Sequence, residues 1–440
     1  MRWCGGRQLC WASVFMSICS AYADAYADRP VLNAELHIRH HLIPGLKFKA
    51  RNPESADAQQ RQKNTKGNLA GTQNSRPPVP PPPLPSVSRR PEVISWDASC
   101  HEPLKVSIFG DYWVAPHSAG ANLKESLFDS LRPVLSWADF NVVNFEGSIT
   151  SSSKRAYPKY PFALKQAPDS LRWMAAAGVK HFTRANNHSM DFGWQGAVET
   201  SAAMKSVGAQ YAGIGVDLKS ALQPMWLEKN GLKIAVMSVT TTYPQEAWAS
   251  EKNPGVAFPR IGALRKVIQS IRDDADFIVV AFHWGEELKP YLRSHQPEYA
   301  KMVIDAGADI VVGHHAHVAQ QIDADPENAL IVYGLGNFIF GSQSRDAKFG
   351  LGSHFEFCRT DNTADESSTH SFRMVLTPLL THNKVTGFRT RMMSRSEFLP
   401  FAKDYIKKGY FSSELEFYLP DEGQVKSLAE WLQPRAQASK

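Results

Sequence analysis

Cysteine is scarce in this sequence: five of the 440 residues are cysteine, and three of them (Cys4, Cys10 and Cys19) lie in its first segment. Only Cys100 and Cys358 stand in the remainder of the chain. In an exported protein this pair could form one disulfide that joins the start of the folded domain to a late segment. Two separate buried thiols are an equally good interpretation, because sequence alone does not show whether the two residues are close enough.

Long hydrophobic runs are also missing, apart from a short one at the amino terminus. Residues 9–19 are mostly apolar, follow two arginines, and are too short to cross a bilayer comfortably. Two cleavage sequences of the A-x-A type come next, at 21–23 and 25–27. This arrangement predicts a signal peptide over residues 1–27 and export to the periplasmic or extracellular face of a bacterial membrane. An uncleaved membrane anchor is the alternative.

No block of one charge sign stands out. The chain carries 49 lysines and arginines against 43 acidic residues, a formal net charge of +6, and the basic residues are scattered. Since the sequence has no recognisable nucleic-acid-binding motif, we do not expect it to bind nucleic acid. A weakly basic surface is compatible with an anionic substrate.

Composition divides the chain into four parts. Residues 28–93 show little hydrophobic periodicity and contain the proline run 77–85, which is typical of an extended polyproline II spacer. A folded domain is expected over residues 94–398, and residues 399–440 are expected to form a helical or irregular extension. The spacer would hold the folded domain away from the membrane or wall.

Strand and helix patterns alternate through the folded domain. Short apolar runs typical of buried strands are followed by segments with apolar residues at helical spacing. This alternation predicts α/β layers around a largely parallel sheet, and two later runs, 372–379 and 385–392, resemble an antiparallel pair. The predicted strands are 106–109, 140–145, 181–185, 233–239, 277–282 and 310–312, and the predicted helices are 123–137, 169–177, 194–207 and 297–306.

Polar residues suited to metal binding or proton transfer follow five of the predicted strands. The densest group, Gly313-His314-His315-Ala316-His317, places three histidines within four positions directly after a buried strand. Open α/β sheets bind ligands at the carboxyl ends of their strands, so these groups should lie near one another. Each residue alone has a structural explanation, such as a helix cap or a core histidine, but that explanation would have to hold at five strand ends. The residues are Asp111, Glu146, Asn187 with His188, His283, and His314 to His317.

The mixture of donors indicates the kind of site. Carboxylates, an amide oxygen and several imidazoles suit one or two borderline divalent ions such as Mn, Zn or Fe. A structural zinc site would favour cysteine, and none stands at these positions. A carboxylate can bridge two ions about 3.5–4 Å apart, which is the arrangement used for metal-assisted hydrolysis.

At these residues the sequence resembles the CapA family, the capsule-synthesis proteins linked to poly-γ-glutamate. The similarity covers residues 104–341. It implies the fold of the calcineurin-like metallophosphoesterases, an α/β fold built as a four-layer α/β/β/α sandwich. The matching motifs are Gly110-Asp111, Asn144-Phe145-Glu146-Gly147, Ala185-Asn186-Asn187-His188, Asp191-Phe192-Gly193, His283-Trp284-Gly285 with Glu287, Gly313 to Val318, and Gly336-Asn337-Phe338.

The resemblance implies roles for individual residues. His188 resembles the histidine that protonates a leaving group, and Glu287 is a candidate to orient His283 or to act as a base. Trp113 stands where the related enzymes have a histidine two residues after the first aspartate, and Glu146 takes the place of the bridging aspartate. The implied metal ligands are Asp111, Glu146, Asn187, His283, His315 and His317, with His314 as the competitor for the last pair.

Three functions are compatible with these features. The resemblance favours an exported, metal-dependent hydrolase or transferase that acts on poly-γ-glutamate or another anionic cell-envelope polymer, with a membrane capsule-synthesis complex as a possible partner. In such an enzyme the metal lowers the pKa of water toward 7. The second function keeps the fold and cleaves phosphoesters. The third is a non-catalytic subunit that binds or anchors the anionic polymer.

Overall fold

The computed structural model describes residue 100 and residues 102–324, 329–342, 344–362 and 367–433. The predicted signal peptide and proline-rich spacer lie outside these residues. Within them, every helix is too short or too polar to cross a membrane. The elements predicted from the sequence up to residue 314 are all present, although segment 123–137 forms a 3-10 helix, Ala121–Leu131, followed by one α-helical turn.

The strands and α-helices of the described residues are numbered here in chain order. The strands are β1 Leu104–Trp113, β2 Phe140–Phe145, β3 Val179–Thr183, β4 Gln210–Ala212, β5 Ile214–Gly215, β6 Met225–Lys229, β7 Leu232–Thr240, β8 Gly255–Val256, β9 Phe277–His283, β10 Ile310–His314, β11 Ile322–Ala324, β12 Leu330–Val332, β13 Asn337–Phe340, β14 Phe349–Asn362, β15 Ser367–Leu380, β16 Arg391–Met392, β17 Glu416–Leu419 and β18 Gln424–Ser427. The α-helices are α1 Arg132–Leu135, α2 Ser170–Ala176, α3 Gly193–Ser206, α4 Leu218–Ala221, α5 Ile261–Ile271, α6 His295–Asp305, α7 Asn383–Thr386, α8 Arg395–Lys407 and α9 Leu428–Leu432.

The strands form two large sheets and one small pair. The first sheet runs β18-β17-β15-β14-β1-β2-β3-β4, with β13 beside β1 and β16 beside β15, and the second runs β11-β12-β10-β9-β7-β6. Strands β1 to β4 are mutually parallel, and so are β7, β9, β10 and β12. The long hairpin β14–β15 lies antiparallel beside β1. Each large sheet therefore presents a row of parallel strand ends.

Alternating side chains of the second sheet show how the layers are stacked. On β9, Val279 belongs to a core cluster that contains residues of both large sheets. Its neighbours Ile278 and Val280 belong to a different cluster, together with Leu264 and Ile268 of α5. Successive side chains of a strand point to opposite faces, so one face of this sheet meets the other sheet and the opposite face is covered by helices.

The first sheet is layered in the same way. On β2, Val142 belongs to the cluster between the sheets, whereas Val143 belongs to a cluster with Trp173 of α2 and Met204 of α3. Strands buried on both faces read as nearly continuous apolar runs, which is how these strands appear in the sequence. The layers are helix, sheet, sheet and helix, so the predicted four-layer α/β/β/α sandwich is confirmed.

Two expectations for the late part of the chain are confirmed only in part: Arg391–Met392 pairs antiparallel with β15, and the last segment contains α9 and most of α8. Residues 385–392 form a strand only at 391–392, because the chain first makes the short helix α7, which Gly387 ends in a left-handed conformation. The Asn383 side chain anchors this turn by donating to the carbonyl oxygens of Phe340 and Ser342. The segment expected to be helical or irregular, 399–440, contains β17 and β18, and these strands extend the first sheet.

A disulfide joins Cys100 to Cys358, which resolves the alternative left open by the sequence. The two Cα atoms are 6.1 Å apart, and 258 positions separate the residues in the chain. The bond ties the start of the described domain to β14, near the place where Leu104 of β1 pairs with Phe357. Crosslinks that close long loops restrict the unfolded chain most strongly.

We expect Cys358→Ser to lower the free energy of unfolding by about 2–4 kcal/mol, because the unfolded chain gains conformational freedom. Denaturant unfolding of the purified protein measures the change, and Cys100→Ser should give an equal loss. The double variant should lose no more than either single variant. Peptide mapping without reductant that recovers the two cysteines in separate fragments would contradict the crosslink.

Candidate functional site

The parallel strand ends of both sheets converge on one group of polar side chains. Asp111 lies in the last part of β1, Glu146 directly follows β2, and His283 ends β9. One oxygen or nitrogen from each of these three buried residues lies within 4.8 Å of the corresponding atoms of the other two. The first sheet supplies the two carboxylates and the second sheet supplies the imidazole, so the site spans the junction between the sheets.

Two glycines allow the backbones to approach closely at this junction. A Cβ atom on Gly110 would lie 1.8 Å from the carbonyl oxygen of Gly336, and a Cβ on Gly313 would lie 1.8 Å from that of Tyr333. Any side chain at either position would therefore push the backbones apart. The residues that follow them, Asp111 and the histidine group after β10, depend on these contacts for their positions.

The first group of donor atoms surrounds His317. Its Nδ1 atom lies 3.2 Å from Asp111 Oδ2 and 2.8 Å from Asn337 Oδ1. Asp111 and Asn337 are register partners on the parallel strands β1 and β13, and both are buried. We call Asp111, His317 and Asn337 the first cluster.

The second group of donor atoms surrounds His283. Its Nε2 atom lies 2.8 Å from Asn187 Oδ1, 3.1 Å from His315 Nδ1 and 3.9 Å from Glu146 Oε1. Asn187 comes from the loop after β3, and His315 comes from the loop after β10, where its φ is +86°. We call Glu146, Asn187, His283 and His315 the second cluster.

Glu146 has a buried oxygen atom without a hydrogen-bond partner. The residue is 1% exposed, and its Oε2 atom receives no hydrogen bond. A buried carboxylate oxygen without a donor costs free energy unless a cation or a proton compensates it. Glu146 is thus the residue whose environment most clearly calls for a positive charge.

Burial and neighbouring charges shift the pKa values of five buried groups in the two clusters. Burial, together with the charge of Asp111, raises the pKa of Glu146 to about 8. Burial alone would raise the pKa of Asp111, but the hydrogen bond and charge of His317 lower it. Burial also opposes the charged form of His317, yet the hydrogen bond to Asp111 raises its pKa to about 10. Burial lowers the pKa of His315 to about 4 and that of His283 well below its ordinary value.

These directions suit cation binding. His283 and His315 are neutral at pH 7, and neutral imidazole is the form that binds metal. The raised pKa values of Glu146 and His317 favour protons at places that a divalent cation would take. Such a cation would release these protons as it bound.

Donor spacing provides a test of whether the residues fit a metal ion. Ligand atoms about 2.1 Å from a common ion lie roughly 3.0–3.4 Å from one another in tetrahedral or octahedral geometry. The distances within the first cluster, 2.8 and 3.2 Å, and the shorter distances within the second, 2.8 and 3.1 Å, are close to this range. Together with the unpartnered Glu146 oxygen, the donors therefore fit divalent metal binding at this site.

His188 lies beside the second cluster and has the arrangement of a proton donor. Its Nδ1 atom is 2.7 Å from Asp191 Oδ2, and its Nε2 atom is 3.8 Å from Glu146 Oε1. Burial lowers the pKa of His188, but the charge and hydrogen bond of Asp191 outweigh burial and raise it. Since Asp191 holds one ring nitrogen, the other nitrogen is directed toward the two clusters.

Two residues discussed in the sequence analysis lie elsewhere. His314 Nε2 faces the carbonyl oxygen of Phe109 at 3.2 Å, which removes it from both clusters. Glu287 is exposed and acts on the site only through its charge. The idea that Glu287 orients His283 is wrong, because the two ring nitrogens of His283 face Asn144 Nδ2 and Asn187 Oδ1.

Two asparagines and one aspartate of the matching motifs contribute to the site, although the sequence predicted no role for them. Asn144 donates to Asp111 Oδ1 at 2.8 Å and lies 3.3 Å from His283 Nδ1, so it positions one residue of each cluster. Asp191 orients His188, and Asn337 belongs to the first cluster. Their sequence signals were present: Asn144 stands two positions before Glu146, and Asp191 stands three positions after His188.

The matching family model and two relatives of this chain are described as capsule or PGA synthesis proteins. The family model described as bacterial capsule synthesis protein PGA_cap matches residues 105–342. The capsule biosynthesis protein CapA of Bacillus anthracis is 31% identical over 249 residues, which are 54% of this chain and 60% of that protein. The PGA biosynthesis protein CapA of Bacillus subtilis is 31% identical over 219 residues, 49% of this chain and 57% of that protein. The chain thus spans less than two thirds of the length of these relatives.

Solved structures give more distant similarities. The NAD nucleotidase of Haemophilus influenzae is 13% identical, with a TM-score of 0.38 over 73% of this chain and 57% of that one. At this distance we draw no conclusion about chemistry or substrate from the similarity.

Proposed function

Because the chain belongs to the bacterial capsule synthesis protein family PGA_cap, we propose that it is an exported, metal-dependent enzyme that cleaves or transfers an anionic γ-glutamyl polymer of the cell envelope. The observation that carries this proposal is the convergence of two groups of metal-type donors around Glu146, whose buried Oε2 atom lacks a partner. The names of the Bacillus relatives, which refer to capsule and PGA biosynthesis, support the choice of polymer. The disulfide between Cys100 and Cys358 supports export, because such bonds persist in oxidising compartments.

The chain supplies the groups that a hydrolytic or transfer reaction needs. A divalent ion bound by the two clusters would act as a Lewis acid on the scissile carbonyl and make water a better nucleophile. His188 Nε2 faces Glu146 Oε1 at 3.8 Å, and a protonated His188 would be placed to donate its proton to the departing amine. Asp191 fixes the orientation of the imidazole and keeps it protonated to higher pH.

A basic segment beside His188 supports an anionic substrate. The residues between Glu146 and Asp169 include four cations, Lys154, Arg155, Lys159 and Lys165, and no acidic residue. The segment is attached to the site, because the backbone amide of Leu164 donates to Asp191 Oδ2 at 2.6 Å and that of Ala156 donates to the Asp191 carbonyl oxygen at 2.8 Å. Lys159 also pairs with Glu246, whereas Lys154 is exposed at the surface. A polyanion that reached His188 would pass along these cations.

Incubation of the purified protein with poly-γ-glutamate and Mn²⁺, Zn²⁺ or Fe²⁺ tests the proposal. We expect the polymer length or end groups to change only when metal is present, and chelation should abolish the change. Poly-α-glutamate, with the same charge and a different linkage, is the matched control substrate. A phosphodiester is tested in parallel, because two clusters of metal-binding residues near a proton donor also suit phosphoester hydrolysis.

The same assay separates the substrate classes. Lys154→Glu should raise KM for the polymer at low salt and leave the turnover of a small phosphodiester unchanged. Lys180→Glu, which changes a lysine that is also exposed but lies at the amino end of β3, should change neither. Metal-dependent cleavage of the phosphodiester but not of the polymer would indicate that the substrate is a phosphoester. Stoichiometric polymer binding by a protein that binds no metal would overturn the enzymatic proposal.

A further inference from the structure

We propose that Asn337 is a metal ligand that completes the first cluster, where Trp113 leaves the chain without a histidine. This inference rests on the metal centre of the proposed function and adds to it a donor outside the six ligands implied by the sequence resemblance. It also assigns the first cluster a more oxygen-rich character than the second.

Trp113 is not available to bind a metal. Its indole Nε1 donates to the carbonyl oxygen of Lys165 at 2.8 Å, and its ring lies 5.3 Å from the ring of Phe340. An indole N–H is a donor only and has no lone pair to offer a cation. Without another donor, the first cluster would hold an ion with only Asp111, His317 and whatever Glu146 contributes.

Asn337 lies where such a donor is required. Its Oδ1 atom is 2.8 Å from His317 Nδ1, and Asp111 Oδ2 is 3.2 Å from the same nitrogen. Asn337 begins β13, pairs in register with Asp111, and is 2% exposed. The contact of Gly110 with Gly336 brings the two strands this close, so the position of the amide is fixed by the backbone.

A simpler role for Asn337 is to accept a hydrogen bond from His317 and so orient the ring. In that role Asn337 and Asp111 would compete for the single Nδ1 hydrogen, because both of their oxygen atoms face the same nitrogen. A cation between the three atoms satisfies all of them at once. The approach of two oxygen atoms to one ring nitrogen therefore favours coordination over ring orientation.

The donor set of each cluster has a consequence for metal preference. The first cluster combines a carboxylate, an amide oxygen and one imidazole, whereas the second contains two imidazoles. Oxygen donors suit manganese-like ions, and imidazoles suit zinc or iron. Asn337→His should therefore increase the preference of the first cluster for Zn²⁺ over Mn²⁺.

Cobalt substitution of the full chain distinguishes a ligand from a positioning residue. In Asn337→Cys, a sulfur atom that replaces the amide oxygen as a ligand should give a thiolate-to-cobalt charge-transfer band in the near ultraviolet. A residue that only orients His317 would produce no such band. Ser189→Cys is the matched control: it is buried next to the site, and the Ser189 hydroxyl bonds to the Arg184 carbonyl oxygen and to Asn186 instead of facing the clusters.

Calorimetric metal titration provides the second measurement. Asn337→Leu should lower the affinity for one of two ions by more than about 100-fold, beyond the roughly 10–100-fold loss that removal of an outer hydrogen-bonding partner causes, and should leave the other ion bound. Asn337→Asp should retain both ions. If Asn337→Cys does not fold, this pair decides the question. Cobalt bound by Asn337→Cys without the band, or two ions bound by Asn337→Leu with a loss of affinity no greater than about 100-fold, would overturn the assignment of Asn337 alone. A wild-type protein that binds no divalent ion would overturn the proposed metal centre together with it.

Discussion

Replacing Glu146 by glutamine is expected to lower metal affinity by at least about 100-fold, more than the loss of an outer hydrogen-bonding partner would. Glu146 belongs to the second cluster, and one of its oxygen atoms also lies within 4.8 Å of a carboxylate oxygen of Asp111 in the first cluster, so its loss removes negative charge near both. Glutamine has nearly the same volume, and the substitution leaves the packing around the buried side chain intact. We therefore expect Glu146→Gln to remove metal binding without unfolding the protein.

Without metal, the Glu146→Gln protein should be more stable than the wild type. Burial raises the pKa of Glu146 from 4.5 to about 8, so the folded protein holds this proton more tightly than the unfolded chain does. The contribution of Glu146 to stability is therefore present below pH 4.5 and is lost as pH rises through 8. Glutamine does not ionise. The thermal midpoint of metal-free Glu146→Gln should exceed that of the metal-free wild type, and the difference should grow with pH across this window.

Calorimetry and thermal unfolding, each with and without Mn²⁺ or Zn²⁺, measure both effects. Bound metal should stabilise the wild type, by about 2.7 kcal/mol when its free concentration is one hundred times Kd, and should leave Glu146→Gln unchanged. Glu298→Gln, an exposed residue in the first turn of α6, is the control and should behave like the wild type. A metal-free Glu146→Gln protein that is less stable than the wild type at pH 9 would show that Glu146 has a structural role.

Local sequence patterns were sufficient to predict α/β layers around a largely parallel sheet, and the four-layer arrangement came from the family resemblance. Apolar runs such as β9 and β10 are buried on both faces, and a parallel strand in that setting has a recognisable composition. The same patterns identified which residues follow each strand. Because carboxyl ends of parallel strands meet at one edge, the six donors implied by the resemblance could be grouped before their distances were known.

Contacts between distant segments could not be predicted in this way. Asn337 follows the buried residue Leu335 and Gly336, and nothing local shows that it would pair with Asp111, more than two hundred residues earlier in the chain. The hairpin β14–β15 illustrates the same limit: its sequence includes polar residues such as His354, which is buried between the hydroxyl groups of Ser107 and Thr377. Burial of a satisfied histidine breaks the apolar alternation that strand prediction depends on.

The junction between the sheets explains why a stable core can support a costly site. Buried carboxylates and imidazoles lower stability when they lack partners, and the site contains several of them. Asn144 reduces this cost by contacting both Asp111 and His283, and Asn186 in turn donates to Asn144 Oδ1 at 3.2 Å and to the carbonyl oxygen of Phe145 at 2.9 Å. The amides thus hold the donors in place, while Glu146 Oε2 accepts no hydrogen bond.

Replacing His188 by alanine is expected to lower kcat on the substrate that the wild type turns over by about 10²–10⁴-fold, the usual contribution of a positioned general acid. Metal affinity should change little, because His188 Nε2 lies 3.8 Å from Glu146 Oε1 and belongs to neither cluster. His295→Ala, at the start of α6, removes a histidine outside the site and should retain full activity. A His188→Ala protein with unchanged kcat would exclude His188 as the proton donor.

The pH profile of Asp191→Asn tests the origin of that proton. Asp191 raises the pKa of His188 by charge and hydrogen bond, so the imidazole keeps its proton to higher pH than an isolated histidine would. A general acid is active while protonated, and kcat should therefore fall as pH rises through the pKa of His188. Asparagine removes the charge and leaves an oxygen to accept from Leu164. The alkaline limb of the profile should move to lower pH in Asp191→Asn, and a limb that stays in place would mean that another group supplies the proton.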